Sequence, residues 1–344
     1  MRVKFAAIFL LLGNLCTAGE VFCVRAGAPG GGDGRNWSKA LSRIPTRPLR
    51  DAIYYIADGT YPSTVIATPV ESKKLIVIKK ATTQDHGPSE GWKESYGDGT
   101  ARFEHISIAT SFVVLDGAYG SGTGPYGFEI YNPGDPNKNF HLLRLEADVD
   151  DVTIRHVELH RPNLNYKGRG INATGFGNER ITISDCYIHD LFGVHVYLYN
   201  AKDVVIERCL FSRNKSTPEW HSESVQARGT INLTVRWCWF EDIQGTAVII
   251  SGSGNSASWD IHGNVFYASP GFNQANGHGT VADNQRDSIR DVRVYNNTFA
   301  NIRGFKAGVR FWKSLGGCYC LLYTSDAADE GLGVDLGGRR IIKK

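Results

Sequence analysis

The chain has 344 residues, with 38 Lys plus Arg against 35 Asp plus Glu and a formal charge of +3. Balanced, interspersed charge excludes the basic footprint of a nucleic-acid binder. The 39 glycines, single methionine and scattered cysteines point to a tightly turning β-fold in one elongated domain.

Met1, Arg2 and Lys4 precede an apolar run, Phe5 to Leu12, and the small residues Cys16-Thr17-Ala18 follow. Charge, length and cleavage chemistry predict a secretory signal peptide over 1–18, cut after Ala18, and a secreted protein, extracellular or periplasmic. Cys16 raises the alternative of a lipidated cysteine, which Leu15 disfavours because a small residue is wanted there. No later segment is long and apolar enough to span a membrane.

Residues 19–66 read as an N-terminal cap to a β-domain extending to 317. The cap holds a strand at Val21 to Val24, glycine-rich turns over Gly27 to Gly34, a short helical stretch near Trp37 to Leu41, and a strand at Ile53 to Ile56 before Asp58-Gly59. The glycine run lacks the lysine and following helix of a phosphate loop, so it reads as a turn. Leu75 to Ile78, Ile106 to Ile108 and Phe112 to Leu115 are strands of early coils, and Thr82 to Thr100, with Trp92 and Tyr96, is a polar surface insertion.

From Val152 a motif recurs six times: apolar at 0, +2 and +7, small or polar at +5. Its starts are Val152, Ile181, Val204, Leu233, Trp259 and Val292, at intervals of 29, 23, 29, 26 and 33 residues. The 0/+2 spacing is strand alternation, and the odd step before +5 marks a corner between two short strands. Such a unit cannot bury its apolar side alone and must stack on copies of itself, which predicts a parallel β-solenoid. Position +5 then forms an inner file of Cys186, Cys209, Cys238, Asn264 and Asn297, where asparagines bond to one another and to corner backbone. The three cysteines read as small buried side chains, with a Cys186 to Cys209 bridge as the alternative.

After Arg310-Phe311-Trp312 the repeat stops. Residues 318–344 show neither period and resemble translated sequencing-adapter read-through. The expectation is therefore a non-native or unstructured tail on a solenoid truncated at its C-terminal end, which exposes an unpaired edge.

With the coil assigned, residues 20 to 315 resemble secreted right-handed parallel β-helix proteins of the pectate-lyase-like superfamily, through the six copies, Asn232-Leu-Thr-Val-Arg-Trp-Cys-Trp-Phe240, the opening Val24-Arg25-Ala26-Gly27 and Tyr54-Tyr55-Ile56-Ala57-Asp58-Gly59. The resemblance implies a fold that hosts lyases, hydrolases, epimerases and non-catalytic adhesins. Known enzyme patterns are not reproduced. Gly277-His278-Gly279 is present, but Asp150-Asp151 lies far upstream and the Asn-Thr-Asp of polygalacturonases is missing, as are the plant-type pectate-lyase strings.

The strand preceding each copy supplies an outward row: Arg169, Asn172 and Thr174; His195, Tyr197 and Tyr199; Ser224, Gln226 and Arg228; then Ile249, Ser251, His278, Thr280, Arg310 and Trp312. Aromatic rings and guanidinium groups on one face suit sugar rings and carboxylates. Of these, Arg169, Tyr199, Gln226, His278, Arg310 and Trp312 are the substrate-binding candidates. The densest point is Trp220-His221-Ser222-Glu223, where alignment puts Glu223 level with inward Val194.

A uronate lyase needs a cation, a base and an acid. Arg228 or Arg169 would neutralise, His221 or His195 would abstract the proton, Tyr197 would protonate, and Glu223 would steady a histidine. No residue set is assigned to a metal, and the cofactor stays open. Calcium is the candidate, because Asp148, Asp150 and Asp151 crowd one turn. Glu223 has no acidic partner on the inferred face, which favours elimination over hydrolysis. The expected partner is an acidic or neutral polysaccharide met by a monomer, and the competing readings are a glycoside hydrolase and a non-catalytic, adhesin-like carbohydrate-binding solenoid.

Overall fold

The computed structural model describes residues 19–118, 126–132, 140–161, 163–165, 167–217, 222–251, 256–272, 280–283, 289–302, 308–311, 317–325, 335–336 and 339–340. Among them the chain winds a parallel β-helix with three strands per turn, each turn stacked on the last. Ladder I runs from Thr64–Ile66 through Phe140–Leu145, Gly168–Ala173, Val196–Tyr199, Val225–Arg228, Val248–Ser251 and Val281–Asp283 to Val309–Phe311. Ladder II runs from Glu20–Val24 and Ala52–Ile56 through Asp150–Arg155, Glu179–Ser184, Lys202–Glu207 and Ile231–Arg236 to Ser256–His262. Ladder III includes Phe128–Tyr131, Val157–His160, Tyr187–Leu191, Leu210–Asn214, Trp239–Ile243 and Val265–Tyr267. Ile289–Ala300 rounds a corner unbroken, so ladders II and III count as one sheet.

The six motif copies stack in the predicted register. Position 0 pairs Val152, Ile181, Val204, Leu233, Trp259 and Val292 in succession. All six are buried, as are the +2 and +7 residues. At +7, Phe211, Phe240, Phe266 and Phe299 stack with centroids 4.8, 4.8 and 4.9 Å apart. That interval matches the strand spacing of about 4.8 Å, so each ring covers the one below.

Each copy turns on two single left-handed residues. Position −1 (Asp151, Arg180, Asp203, Asn232, Ser258, Asp291) has φ of 54 to 59°. Position +4 (His156, Asp185, Arg208, Trp237, Gly263, Asn296) has φ of 51 to 66°. Asp and Asn tolerate this region best, which accounts for their frequency at both corners. Inside the +4 corner the small file forms as expected. Asn264 Nδ2 donates to Asn297 Oδ1 (3.0 Å) and to the Val235 carbonyl (2.9 Å), and Cys238 N–H donates to Asn264 Oδ1 (2.9 Å). Cys186, Cys209 and Cys238 are buried free thiols that donate to corner carbonyls, so the bridge considered above is not formed.

Charges alternate from coil to coil outside the corners. Arg180 pairs with Asp151, Arg208 with Asp185, Arg213 with Asp190, Arg236 with Glu207 and Arg293 with Asp260. A slip of one rung would set like charges together, so these half-exposed pairs act on register more than on net stability.

Two expectations are corrected. Trp37 to Leu41 is not helical; its backbone lies along the first strand, with Leu41 N–H bonded to Cys23 O and Arg25 N–H to Leu41 O, because an open edge needs partners. Thr82 to Thr100 lies at the surface as expected, anchored where Trp92 and Tyr96 pack on buried Trp37 (4.9 and 6.0 Å). The cap is shorter than 19–66, because Ala52–Ile56, Gly59–Tyr61 and Thr64–Ile66 already form a three-stranded coil. In the tail, Tyr319–Ser325 adds a rung to Ile289–Ala300, as an extended segment can on an open parallel edge whose backbone groups lack partners.

Asn264→Ala removes both partners of a buried corner and leaves the Cys238 N–H without its acceptor. Denaturant unfolding should show a loss of about 2–3 kcal/mol; a loss below half of that would mean that water replaces the file.

Candidate functional site

Parallel pairing on ladder I sets Asn172, Tyr197, Gln226, Ile249, Ala282 and Arg310 in one file, with Tyr199, Arg228 and Ser251 beside it. The face unites six of the predicted residues. The Arg169 guanidinium lies 4.0 Å from the Tyr197 ring centre and donates to Asn172 Oδ1 (2.8 Å). Arg228 lies 5.6 Å from the Tyr199 ring, and exposed Phe176 meets that ring edge-on at 5.3 Å. Gln226 is half-buried, in register with Tyr197.

Arg169 and Arg228 differ from the corner arginines in their partners. Among the described residues neither has a carboxylate within ion-pair distance, whereas Arg102, Arg155, Arg180, Arg208, Arg213, Arg236 and Arg293 all do. Burial pulls the Arg169 pKa below its usual value, and no acid among the described residues answers the charge. Two tyrosine-backed cations, one from each coil flanking Tyr197 and Tyr199, form a receptor for carboxylate groups.

The predicted base is not on this face. His195 is fully buried, its ring 5.9 Å from Phe211 and its Nδ1 3.1 Å from Ser224 Oγ, and burial pushes it down to about 3. Residues 193–195 form the corner before Val196–Tyr199, so alternation counted back from Tyr197 fails there. Gly193, at φ 149°, passes over the Gly168 carbonyl, where a Cβ would lie at 1.8 Å. Ser224, one coil on, is buried with His195.

Glu223 is level with Val194 as expected, its carbonyl accepting the His195 N–H (3.1 Å), and it too is buried. Burial raises its carboxyl to about 7. His221, His278 and Trp312 lie outside the described residues. Arg310 is half-buried, in register with Ala282.

The calcium candidate is also redirected. Arg180 binds Asp151 (2.9 Å) and Asp150 (3.0 Å), and the Glu179 N–H binds the other Asp150 oxygen (2.9 Å), so a guanidinium already holds the place of a cation. Among the described residues no group of three or more acids, histidines or cysteines is arranged to hold a metal.

A second cluster, which the sequence reading passed over, lies on the outer face of ladder III. His160 Nε2 meets Glu129 Oε1 at 2.8 Å, and Arg102 holds Glu129 Oε2 at 2.8 Å. His189 meets Glu158 at 2.9 Å and Asp190 at 2.6 Å, and its ring stacks on His160 (4.8 Å) and Tyr187 (3.9 Å). Arg213 bonds Asp190 through two nitrogens and Tyr187 Oη at 2.9 Å. Burial opposes the Asp190 charge, but Arg213 and His189 prevail and hold it at about 2. The signal was the +6/+8 pairs, Glu158-x-His160 and Tyr187-x-His189. A separate apolar pocket, lined by Phe240, Ile243, Phe266, Phe272, Thr280 and others, carries no charged group among its lining residues.

A family model described as "Right handed beta helix region" matches residues 124–299. Among solved structures, a Geobacillus virus E2 protein, ORF18, is 12% identical with a TM-score of 0.36, covering 80% of this chain and 54% of that one. The chain thus spans about half the length of that protein. A crystal structure of pectate lyase Pel9A is 12% identical with a TM-score of 0.36, covering 90% of this chain and 78% of that one. No curated protein matches.

The raised Glu223 carboxyl has a stability consequence. Folding holds its proton more tightly than the unfolded chain does, so its contribution is complete below the ordinary value of 4.5 and is lost as pH rises through about 7. The unfolding midpoint of Glu223→Gln should match the parent near pH 4.5 and exceed it increasingly up to about pH 7. A constant difference across that window would show a solvated carboxyl.

Proposed function

We propose that this chain, which belongs to the right-handed β-helix family, is an exported protein that binds a uronic-acid-containing polysaccharide along the outer face of ladder I and cleaves it by β-elimination. One observation carries the reading: Arg169 and Arg228, from the coils on either side, lie on Tyr197 and Tyr199 of the coil between them, with no carboxylate of their own among the described residues. A uronate carboxylate supplies the missing partner, and the tyrosine rings offer stacking surface to the pyranose.

In this reading the guanidinium groups neutralise the sugar carboxylate and so stabilise the negative charge that develops when the neighbouring C5 proton leaves. Tyr197 takes that proton as the phenolate and becomes the neutral phenol. The C5–H electron pair forms the C4=C5 double bond, the C4–O bond breaks, and the departing oxygen takes the proton back. His195 has no part in it, being buried and uncharged near neutral pH.

The test is the ultraviolet absorbance of unsaturated uronates with pectate, alginate and glycosaminoglycans, with calcium and with chelator. The parent should give a rise with one of them. Arg169→Ala should lower kcat/KM about 10²-fold or more, and Tyr197→Phe should abolish the rise while polymer binding persists. A flat trace with binding retained moves the weight to a non-catalytic binding solenoid; no binding by any of these polymers overturns the reading.

Hydrolysis is favoured by one different observation. Glu129 and Glu158 are paired partners on adjacent strands of ladder III. Parallel strands lie about 4.8 Å apart, close to the roughly 5–5.5 Å between the carboxyl groups of retaining glycosidases. Reducing ends released without ultraviolet absorbance, and lost in Glu158→Gln, would establish this second reading; their absence removes it.

A further inference from the structure

The +4 corner carries His156, Asp185, Arg208, Gly263 and Asn296 in five copies and Trp237 in the sixth. Trp237 is anomalous twice over. Its φ is 55°, a region costly for a bulky side chain, and it is 51% exposed, so the indole gains little from burial. The next coil makes room for it: a Cβ on Gly263 would lie 2.7 Å from Trp237 Cδ1. A glycine at one rung and strain at the other hold an exposed indole in a set position.

Other rings and polar groups surround it. The Arg236 guanidinium lies 4.4 Å from the Trp237 ring, His262 meets the ring edge-on at 6.1 Å, and His262 stacks on Tyr295 at 4.8 Å. On ladder III, half-exposed Trp239 lies 6.0 Å from Tyr267. The rings advance along the solenoid coil by coil, interrupted by Arg236, His262 and the Asp260–Arg293 pair.

We propose that this corner is a carbohydrate-stacking platform, on which Trp237 and Trp239, with Tyr295 and Tyr267, take the C–H faces of successive pyranose rings while Arg236 and His262 bond their hydroxyls. Aromatic faces broken up by hydrogen-bonding groups match a sugar, which is apolar on its faces and polar round its edge. A protein partner would call instead for a continuous apolar patch. The platform is formed by ladders II and III, apart from Arg169 and Arg228 on ladder I, and it stands whether or not the chain cleaves anything.

Trp237→Asn tests it, because asparagine accepts the left-handed corner. The readout is migration in native gels containing pectate, alginate or an uncharged β-glucan, paired with thermal unfolding. At least one polymer should retard the parent, and Trp237→Asn should bind it about three- to tenfold more weakly with an unfolding midpoint equal to or above the parent's. Arg169→Ala should retain binding to the uncharged glucan, which separates this site from the uronate face. The proposal is overturned by unchanged binding in Trp237→Asn, by a fall in unfolding midpoint that accompanies lost binding, by no retardation of the parent, or by conversion of a parent dimer to monomer in the variant.

Discussion

Everything in this molecule depends on coils stacking in phase, and the tightest constraint on phase is the inner side of the +4 corner. There the chain turns on one left-handed residue, and the backbone groups it frees lie inside, away from water. Asn264 and Asn297 satisfy them with side-chain amides, and Cys186, Cys209 and Cys238 fill the same space with thiols that donate to corner carbonyls. A larger residue would push the coils apart, and an apolar one would leave donors unanswered. The phenylalanine stack two residues on relies on the same alignment, since rings separated by one strand spacing leave no room for an offset coil.

Outside the corner the requirement is reversed. Left-handed positions project into solvent, and acid and base alternate there from one rung to the next, so each coil meets a complementary one. Against that background Arg169 and Arg228 are conspicuous: among the described residues their charge is backed by tyrosine rings and not by acid. Trp237 departs in another way, occupying a corner suited to Asp, Asn or Gly and leaving half its surface in water. Both departures cost stability locally, and both point outward, which is where a β-helix meets a long polymer.

The buried titratable groups show the converse. His195 and Glu223 combine residue types that catalysis uses, yet each sits in the wall of the solenoid, where burial favours its neutral form. Ladder III illustrates a third outcome. Its histidines and carboxylates lie on the outer side, with His189 and Glu129 largely covered, and bond one another, so their charges are largely answered before any ligand arrives.

By itself the sequence determined the solenoid, its register from Val152 onward, the corner before +5 and the role of the Cys/Asn file. These follow from local spacing repeated six times, and a repeat that must stack on itself admits one alignment. It also determined that Tyr197 and Tyr199 share a face with Gln226 and Arg228, because strict alternation holds within a strand; Arg169, an odd three residues before Asn172, reaches that face from the strand end. Only the tertiary structure decided the rest. Whether His195 faces in or out depends on where the corner ends, and Gly193 passing over Gly168 sets that, not the parity of the strand. Which arginines are already paired depends on residues one coil away and 23 to 33 positions distant, as Asp185 with Arg208 and Asp260 with Arg293 show. Loop length fixes those partnerships, and loop length follows no period.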